Sequence, residues 1–396
     1  MDYHLFLMKS PTERRLSKLH QIPQRKLTVQ KQTLFLVSSL LFTGLTTQLN
    51  VAAQANQPLI LSQNQASEQL NELLRQGRDL VDNGDYLRAI TTYQQAANID
   101  RQNPKIFSGI GYLYANQGNF PEAAQAYQQA ISLEPNNPQW QYALGYSLAN
   151  AGDNAGAAAA YRRAINLDGN NLNNYIGLGT VLMRSKDYDG AIATYQKILE
   201  LNPGTPEAYE LIASALVKQE RSQEALRELR KAAQLAPRSS RVQLSLGTVL
   251  VSQGNLAAGM EAFQKAAQLE PRNFQVQIQI GKILQAQEDL AGALQAFERA
   301  SAIEPNSVEA KASIGEILLK QEQYLLAIVT YQRLTELAPE NPKVYYNLGL
   351  ALKERDRFKE AIVAVEKARK LYQSQEDNKG VERAEALLKR LKESRR

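Results

Sequence analysis

Five tyrosines lie in the least charged stretch of this chain, and the chemistry of three of them, Tyr112, Tyr142 and Tyr146, suits recognition better than catalysis. From residue 102 to 152 the only charged side chains are Lys105, Glu122 and Glu134, although 22% of the whole chain is charged. A tyrosine offers a large apolar ring with a hydrogen-bonding tip, and an asparagine pairs with the backbone amides of a bound peptide. The candidates of these two types in this stretch are Tyr112, Asn116, Tyr142, Tyr146 and Asn150.

The side chains that most often carry nucleophilic or metal chemistry are scarce. The chain has no cysteine, and its two histidines, His4 and His20, lie near the N-terminus. Loss of that segment on export would leave neither residue type, and no Ser-His-Asp, Cys-His or common zinc site could then be assembled. No glycine-rich phosphate loop is present either. We therefore expect no enzyme activity, no metal, no cofactor and no small-molecule substrate.

The segment 1–55 has the layout of a secretory signal peptide. Residues 1–31 carry seven basic and two acidic side chains, an apolar run follows at 34–45, and small residues lead to Ala53 and Ala55. We expect cleavage after Ala55 and export to the periplasm or another part of the cell envelope. The polar segment 56–69 then reads as a linker.

An uncleaved membrane anchor around residues 34–53 is the alternative to cleavage. It would place the polar side chains of Thr46 and Gln48 inside the bilayer, which disfavours it. The leader also holds +5 of the formal net charge of +6, so residues 56–396 are nearly neutral. Nucleic-acid binding needs a clustered basic face, and we do not expect it. Contact with a membrane is expected only through the N-terminal segment, if it stays uncleaved.

From Gly77 to Gly349 a small residue recurs every 34 residues, which divides this part of the chain into repeats. The repeats start at residues 70, 104, 138, 172, 206, 240, 274, 308 and 342, and the last ends at 375. A second small residue follows twelve places after the first, an aromatic residue follows four places later in most repeats, and proline closes many of them. Ala213 takes the first small position in the fifth repeat, and the others have Gly77, Gly111, Gly145, Gly179, Gly247, Gly281, Gly315 and Gly349.

This spacing predicts two packed helices per repeat. Glycine inside a helix costs about 1 kcal/mol relative to alanine, so its recurrence needs a reason. We expect that it lets the two helices of a repeat cross closely, opposite the alanine of the second helix, while the aromatic residue packs between repeats. Residues 376–396 are amphipathic and predict a capping helix over the last repeat.

The pattern of Gly, Ala, aromatic, Ala and Pro over residues 70–375 resembles the tetratricopeptide repeat (TPR) family. That resemblance implies an all-α fold, an α-solenoid in which antiparallel helix pairs form a right-handed superhelix. It also implies that the second, fifth, ninth, twelfth and thirteenth residues of each first helix line a concave groove. In repeats two to four these are Lys105, Ser108, Tyr112, Ala115, Asn116, Gln139, Tyr142, Tyr146, Ala149, Asn150, Asn173, Ile176, Thr180, Met183 and Arg184.

Within that lining, the candidate partner-binding residues are Tyr112, Asn116, Tyr142, Tyr146, Asn150, Thr180 and Arg184. Repeats five to nine carry a mixed-charge lining instead, which binds a second partner or is only solvated: Glu207, Glu210, Lys218, Arg241, Lys282, Glu309, Glu316, Lys320, Lys343, Lys353 and Glu354. The expected function is a scaffold or assembly adaptor that docks a partner peptide or helix in the groove. A membrane-anchored or cytoplasmic adaptor for assembly of a membrane or envelope complex and a self-associating structural protein are the alternatives.

Overall fold

A computed structural model describes residues 50–394 of the chain. In that range the chain forms nineteen α-helices and no β-strand. The described chain divides into two compact units, which meet in sequence between Ser185 and Lys186. Within each unit, successive helices pack on one another as pairs joined by short turns. The predicted all-α fold and its α-solenoid architecture are confirmed.

The first unit contains one long helix followed by six short ones. Each short helix has thirteen or fourteen residues, which is about four turns. Three of them, the first helices of repeats two, three and four, begin at residues 104, 138 and 172, where those repeats begin. The helices are α1 (Asn50–Asp82), α2 (Tyr86–Ile99), α3 (Pro104–Asn116), α4 (Phe120–Leu133), α5 (Pro138–Asn150), α6 (Asn154–Leu167) and α7 (Leu172–Arg184).

The second unit continues the same alternation. Its first helices again begin at the first residue of each repeat. The helices are α8 (Tyr188–Leu201), α9 (Pro206–Lys218), α10 (Ser222–Leu235), α11 (Ser240–Ser252), α12 (Leu256–Leu269), α13 (Phe274–Ala286), α14 (Leu290–Ile303), α15 (Val308–Lys320), α16 (Tyr324–Leu337), α17 (Pro342–Lys353), α18 (Phe358–Ser374) and α19 (Asn378–Ser394).

Local sequence fixes where the first helices start. The side chain of Asn103 accepts a hydrogen bond from the Lys105 backbone N–H at 3.2 Å, and Asn137 does the same for Gln139 at 3.1 Å. Such caps satisfy backbone donors that have no partner inside the helix. Proline then takes the first helical position in α3 and α5, where its missing N–H costs nothing.

One residue in the turn between the two helices of a repeat has a left-handed backbone. In the first unit glycine takes this position every time, as in Gly118 with φ of 80°. In the second unit most of these residues carry a side chain, at Lys186, Glu220, Glu288, Glu322 and Asp356. A Cβ in this region costs about 1–2 kcal/mol, so the turns of the second unit hold backbone strain that the first unit avoids.

The recurring glycines make room mainly for the aromatic ring of their own repeat, which corrects the expectation of a contact between glycine and alanine alone. A Cβ built on Gly281 would lie 2.5 Å from Phe297, and one built on Gly145 would lie 3.0 Å from Tyr161. The ring of Tyr161 also lies against Gly177 of the next repeat, so an aromatic residue does pack between repeats there. The alanines at the second small position, from Ala89 to Ala361, are fully buried.

The segment 56–69 is helical and does not form the expected linker. Helix α1 runs without a break from Asn50 to Asp82 and therefore includes it. Polar composition alone does not end a helix, and between Pro58 and Gly77 this sequence contains neither glycine nor proline. The apolar run 34–45 and most of the alternative anchor at 34–53 lie outside the described residues.

The C-terminal segment packs on the last repeat through helix α19. Leu387, Leu388 and Leu391 are buried in one core cluster with side chains of α16, α17 and α18. Their burial covers the apolar face that the ninth repeat would otherwise expose. Within residues 50–394 no helix is both long and apolar enough to cross a membrane.

Candidate functional site

The first helices of repeats two, three and four form one face of the first unit. Helix α3 contacts α5, and α5 contacts α7. All seven candidate binding residues lie on these three helices. We call the face that they form the tyrosine face, defined by Tyr112, Asn116, Tyr142, Tyr146, Asn150, Thr180 and Arg184.

Tyr146 is the most exposed aromatic side chain of the tyrosine face. It is 46% exposed, although its ring packs edge-on against Phe120, with the centroids 6.1 Å apart. Phe120 begins α4 of the preceding repeat, so Tyr146 is held from the side while its outer surface stays open. The sequence pattern missed Phe120, because it occupies no lining position of a first helix.

Tyr142 is half-buried beside Tyr146. Its ring meets the ring of Tyr161 at 5.6 Å in another edge-to-face contact, and such contacts contribute about 0.5–1.5 kcal/mol beyond burial. Burial, and then the neighbouring Tyr146, raise the pKa of Tyr142 above its ordinary value. A tyrosine hydroxyl is protonated at neutral pH in any case, and it is a hydrogen-bond donor in that state.

The buried Tyr161 is the floor of this aromatic cluster. Its pKa is raised by burial first and then by Tyr142 and Tyr146, while the positive charge of Arg184 opposes the rise. These mutual effects place the three tyrosines and Arg184 within electrostatic reach of one another. The sequence assigned Tyr161 to packing only, and in the structure it also supports the exposed rings.

Each of the two asparagines uses one amide donor within its own helix, and within the described residues its side-chain oxygen makes no hydrogen bond that competes with a partner N–H. Asn116 donates from Nδ2 to the Tyr112 carbonyl at 2.9 Å, and Asn150 donates to the Tyr146 carbonyl at 2.8 Å. Thr180 likewise donates to the carbonyl of Ile176 at 2.7 Å. The sequence predicts that the asparagines pair with peptide amides, and the side-chain oxygens on the exposed Asn116 and Asn150 remain suited to accept from an N–H.

Arg184 joins two helices of the tyrosine face. Its Nη1 donates to the carbonyl of Ala149, 2.8 Å away and near the C-terminal end of α5. A cation at that end of a helix is also favoured by the helix dipole. Arg184 therefore positions α7 against α5. This hydrogen bond uses one of its donors within the chain itself, so no bound partner protein is needed to explain that donor. Ala149, another expected lining residue, is buried.

The mixed-charge lining of the second unit is largely paired with itself. Arg241 on α11 lies 2.9 Å from Glu210 on α9, and Lys282 on α13 lies 2.8 Å from Glu309 on α15. Burial raises the pKa of Glu210, and Arg241 acts in the opposite direction. These pairs join the first helices of neighbouring repeats, so the charges serve that contact.

No group of three or more His, Cys, Asp or Glu side chains that could hold a metal ion occurs within the described part of the chain. What the tyrosine face offers is aromatic surface, hydroxyl donors and amide oxygens on rigid helices. Groups of these kinds are chemically suited to packing against a polypeptide and hydrogen bonding with it.

Paired helices stacked in tandem, with this glycine and aromatic packing, define a helical repeat protein. Family models for the tetratricopeptide repeat match residues 108–171, 210–274, 148–215 and 250–317, and further TPR models match 77–118, 315–356 and 342–375. The chain belongs to the tetratricopeptide repeat family.

A solved structure of a tetratricopeptide repeat protein agrees with this fold. A tetratricopeptide repeat protein from Parabacteroides merdae shares 20% identity, with a TM-score of 0.52 over 63% of this chain and 99% of that one. The MamA protein is 24% identical, with a TM-score of 0.42 over 44% of this chain and 96% of its own. No curated protein matches the chain. The repeats and this fold support a protein-interaction scaffold, a class that is typically non-catalytic.

Proposed function

We propose that this chain is an exported scaffold that docks a peptide or helix of a partner protein on the tyrosine face. The observation that carries the proposal is the half-exposed Tyr146, held edge-on by Phe120 beside Tyr142. An aromatic side chain that is fixed before binding loses little entropy on binding, which favours its use as an anchor.

The surroundings of that anchor favour an uncharged or weakly charged partner segment. Among the expected lining positions of repeats two to four, only Lys105 and Arg184 are charged, and Arg184 is engaged with α5. The amide oxygens of Asn116 and Asn150 lie on successive repeats and suit N–H donors of a segment that crosses from α3 to α5. Such a segment would bury apolar side chains on the rings and satisfy its own donors on the asparagines.

The test is capture of partners from an envelope extract by the full chain and by two tyrosine variants. Tyr146→Ala should lose the partner, because it removes the exposed anchor, and Tyr142→Phe should weaken capture by removing one donor. Tyr188→Ala, a half-exposed tyrosine at the start of α8 in the second unit, is the matched control and should capture normally. A Tyr146→Ala chain that retains every partner found with the wild type would refute the proposal.

Export is the second part of this proposal, and the basic region, apolar run and small residues of segment 1–55 support it. Fractionation with N-terminal sequencing tests it. A mature terminus at Asn56 is the expected result, and cleavage there would shorten α1. An intact chain in the membrane fraction would favour an anchored adaptor, and an intact soluble cytoplasmic chain would contradict export.

A further inference from the structure

A cluster of large apolar side chains is exposed on the second helices of repeats eight and nine. Val329 on α16 is 63% exposed and Val363 on α18 is 68% exposed, and Leu325 and Leu326 on α16 are each more than half exposed. The buried faces of α16 and α18 belong to one core cluster, so their outward faces lie on the same side of the second unit. Because successive repeats stack in one register, Val329 and Val363 lie on the same side of neighbouring repeats, and Leu325 and Leu326 lie one turn before Val329.

This surface is specific to the last two repeats. Val329 and Val363 occupy the same position of two successive repeats. In the other seven repeats that position is polar, charged or alanine: Thr91, Gln125, Ala159, Ala193, Arg227, Glu261 and Gln295. Packing within the repeat therefore does not require an apolar side chain there, and exposed apolar clusters commonly mark binding surfaces.

Basic side chains border the apolar surface. Arg333 lies one turn after Val329 on α16, and Lys359 and Lys367 lie one turn on either side of Val363 on α18. All three are exposed. Nearby ion pairs join Arg357 to Glu360 and Lys353 to Glu354, and within the described residues neither Arg333 nor Lys359 takes part in one.

Lys367 is the third member of the basic border. Its ammonium lies 5.9 Å above the ring of Tyr345. The acidic side chains near the border are Glu336, two turns after Val329, Glu360, one turn before Val363, and the half-buried Glu366. Glu360 is paired with Arg357 at 2.6 Å, and Glu366 faces Lys392 at 4.0 Å. Positive charge prevails around the valines, because Lys370 also lies two turns after Val363.

We propose that the α16–α18 patch, formed by Leu325, Leu326, Val329 and Val363 with Arg333, Lys359 and Lys367, is a second docking site for an acidic amphipathic helix of a partner protein. A helix of that kind would bury its apolar stripe between the valines and set its carboxylates against the basic border. A second copy of this chain is disfavoured as the occupant, because antiparallel pairing of α18 with itself about Val363 would bring Lys359 against Lys367. This site is independent of the tyrosine face.

The test uses two synthetic helical peptides of about 18 residues, or five turns, with the same leucine stripe. One carries glutamate on its polar face and the other carries lysine. Fluorescence anisotropy with the full chain at low ionic strength should show the acidic peptide binding about tenfold more tightly or better, with the difference shrinking as salt is added. Equal affinity for both peptides would overturn the proposal.

Four variants locate the binding. Val329→Asp with Val363→Asp should abolish binding of the acidic peptide, while Gln295→Asp, the same repeat position in repeat seven, should not. Arg333→Glu with Lys359→Glu should reverse the preference toward the lysine peptide. Tyr146→Ala should leave binding of the acidic peptide unchanged. Failure of the α16–α18 patch and failure of the tyrosine face can therefore be told apart.

Two further outcomes would overturn the proposal in favour of another occupant. One is binding of the wild type to phosphatidylglycerol vesicles but not to the acidic peptide, which would indicate a lipid surface. The other is a wild-type dimer by light scattering that Val329→Asp converts to a monomer, which would indicate self-association.

Discussion

The first helices of the two units follow one repeat pattern but present different surfaces. In the first unit, α5 presents Tyr142 and Tyr146, which pack against aromatic rings of the second helices α6 and α4. In the second unit, α9, α11, α13 and α15 present charges that pair across neighbouring repeats. On their first helices, the first unit therefore leaves aromatic surface exposed, whereas the second unit pairs charges between neighbouring repeats.

The turns differ in the same two regions. The first unit has glycine at each left-handed position, whereas the second unit has Glu220, Glu288 and other residues with side chains there. The comparison shows that repeats with the same fold can differ in two respects. They can expose different side chains, and their turns can hold different amounts of backbone strain.

The largest effect should come from removing the exposed anchor of the first unit. Tyr146→Ala should weaken partner binding by about 2 kcal/mol, roughly thirtyfold, with little change in stability. Lys282→Ala, at the equivalent position of repeat seven, should leave binding unchanged, because Lys282 is paired with Glu309. Titration of the captured partner measures both variants. Equal losses would show that the two faces do not differ in function.

A second effect concerns the core beneath the helices. Gly281→Ala should destabilise the chain by about 1–2 kcal/mol, because its Cβ would lie 2.5 Å from Phe297 and overpacking outweighs the gain in helix propensity. Gly145→Ala should be nearly neutral, since its Cβ would lie 3.0 Å from Tyr161. Urea unfolding followed by circular dichroism measures both. The opposite order would contradict the ring contacts as the reason for these glycines.

Substitutions in the turns between helices should change stability by a smaller amount. Adding glycine in the second unit and removing it in the first should have effects of opposite sign. Glu220→Gly should stabilise the chain by about 1 kcal/mol, because it relieves a left-handed backbone on a residue with a Cβ. Gly118→Glu should destabilise it by a similar amount. Thermal melts of the two variants decide this. If Glu220→Gly lowers the melting temperature, the strain assigned to the second unit is wrong.

The smallest effect is expected at the paired charges of the second unit. Arg241→Ala should cost about 0.5–1 kcal/mol at neutral pH, since Arg241 is largely exposed. Burial already raises the pKa of Glu210, and loss of Arg241 should raise it further. In the variant, the pKa of Glu210 is therefore higher in the folded state than in the unfolded state. The variant loses stability as pH rises through the folded-state pKa of Glu210, and in acid its stability returns toward that of the wild type. A deficit in unfolding free energy that does not change with pH would exclude Glu210 as its cause.

The repeat could be predicted from the sequence because its signals are local and recur. The glycine period, the capping asparagines and Pro104 or Pro138 at the helix starts each act within a few residues. The all-α class and the helix starts at 104, 138 and 172 follow from them. Polar composition led to the prediction of a linker at 56–69, whereas that segment lies within α1, because polar residues do not by themselves end a helix and no glycine or proline occurs between Pro58 and Gly77.

The candidate site was only partly predictable. Sequence position alone indicated Tyr142 and Tyr146, because the repeat register fixes which residues share a face. It did not indicate Phe120, whose ring comes from a second helix, or the bond from Arg184 to Ala149. Those contacts depend on how one repeat packs on the next, between residues far apart along the chain.

The sequence by itself determined the period, the helix pairs and the low charge of repeats two and three, because these depend on residue type and spacing. Only the tertiary structure decided which small residue meets which ring, which charges pair and which valines stay exposed. The physical reason is that these properties depend on stacking between repeats. Stacking of the repeats packs Tyr146 against Phe120 and leaves it half-exposed. It also brings Arg241 into an ion pair with Glu210 and leaves Val329 and Val363 on the surface.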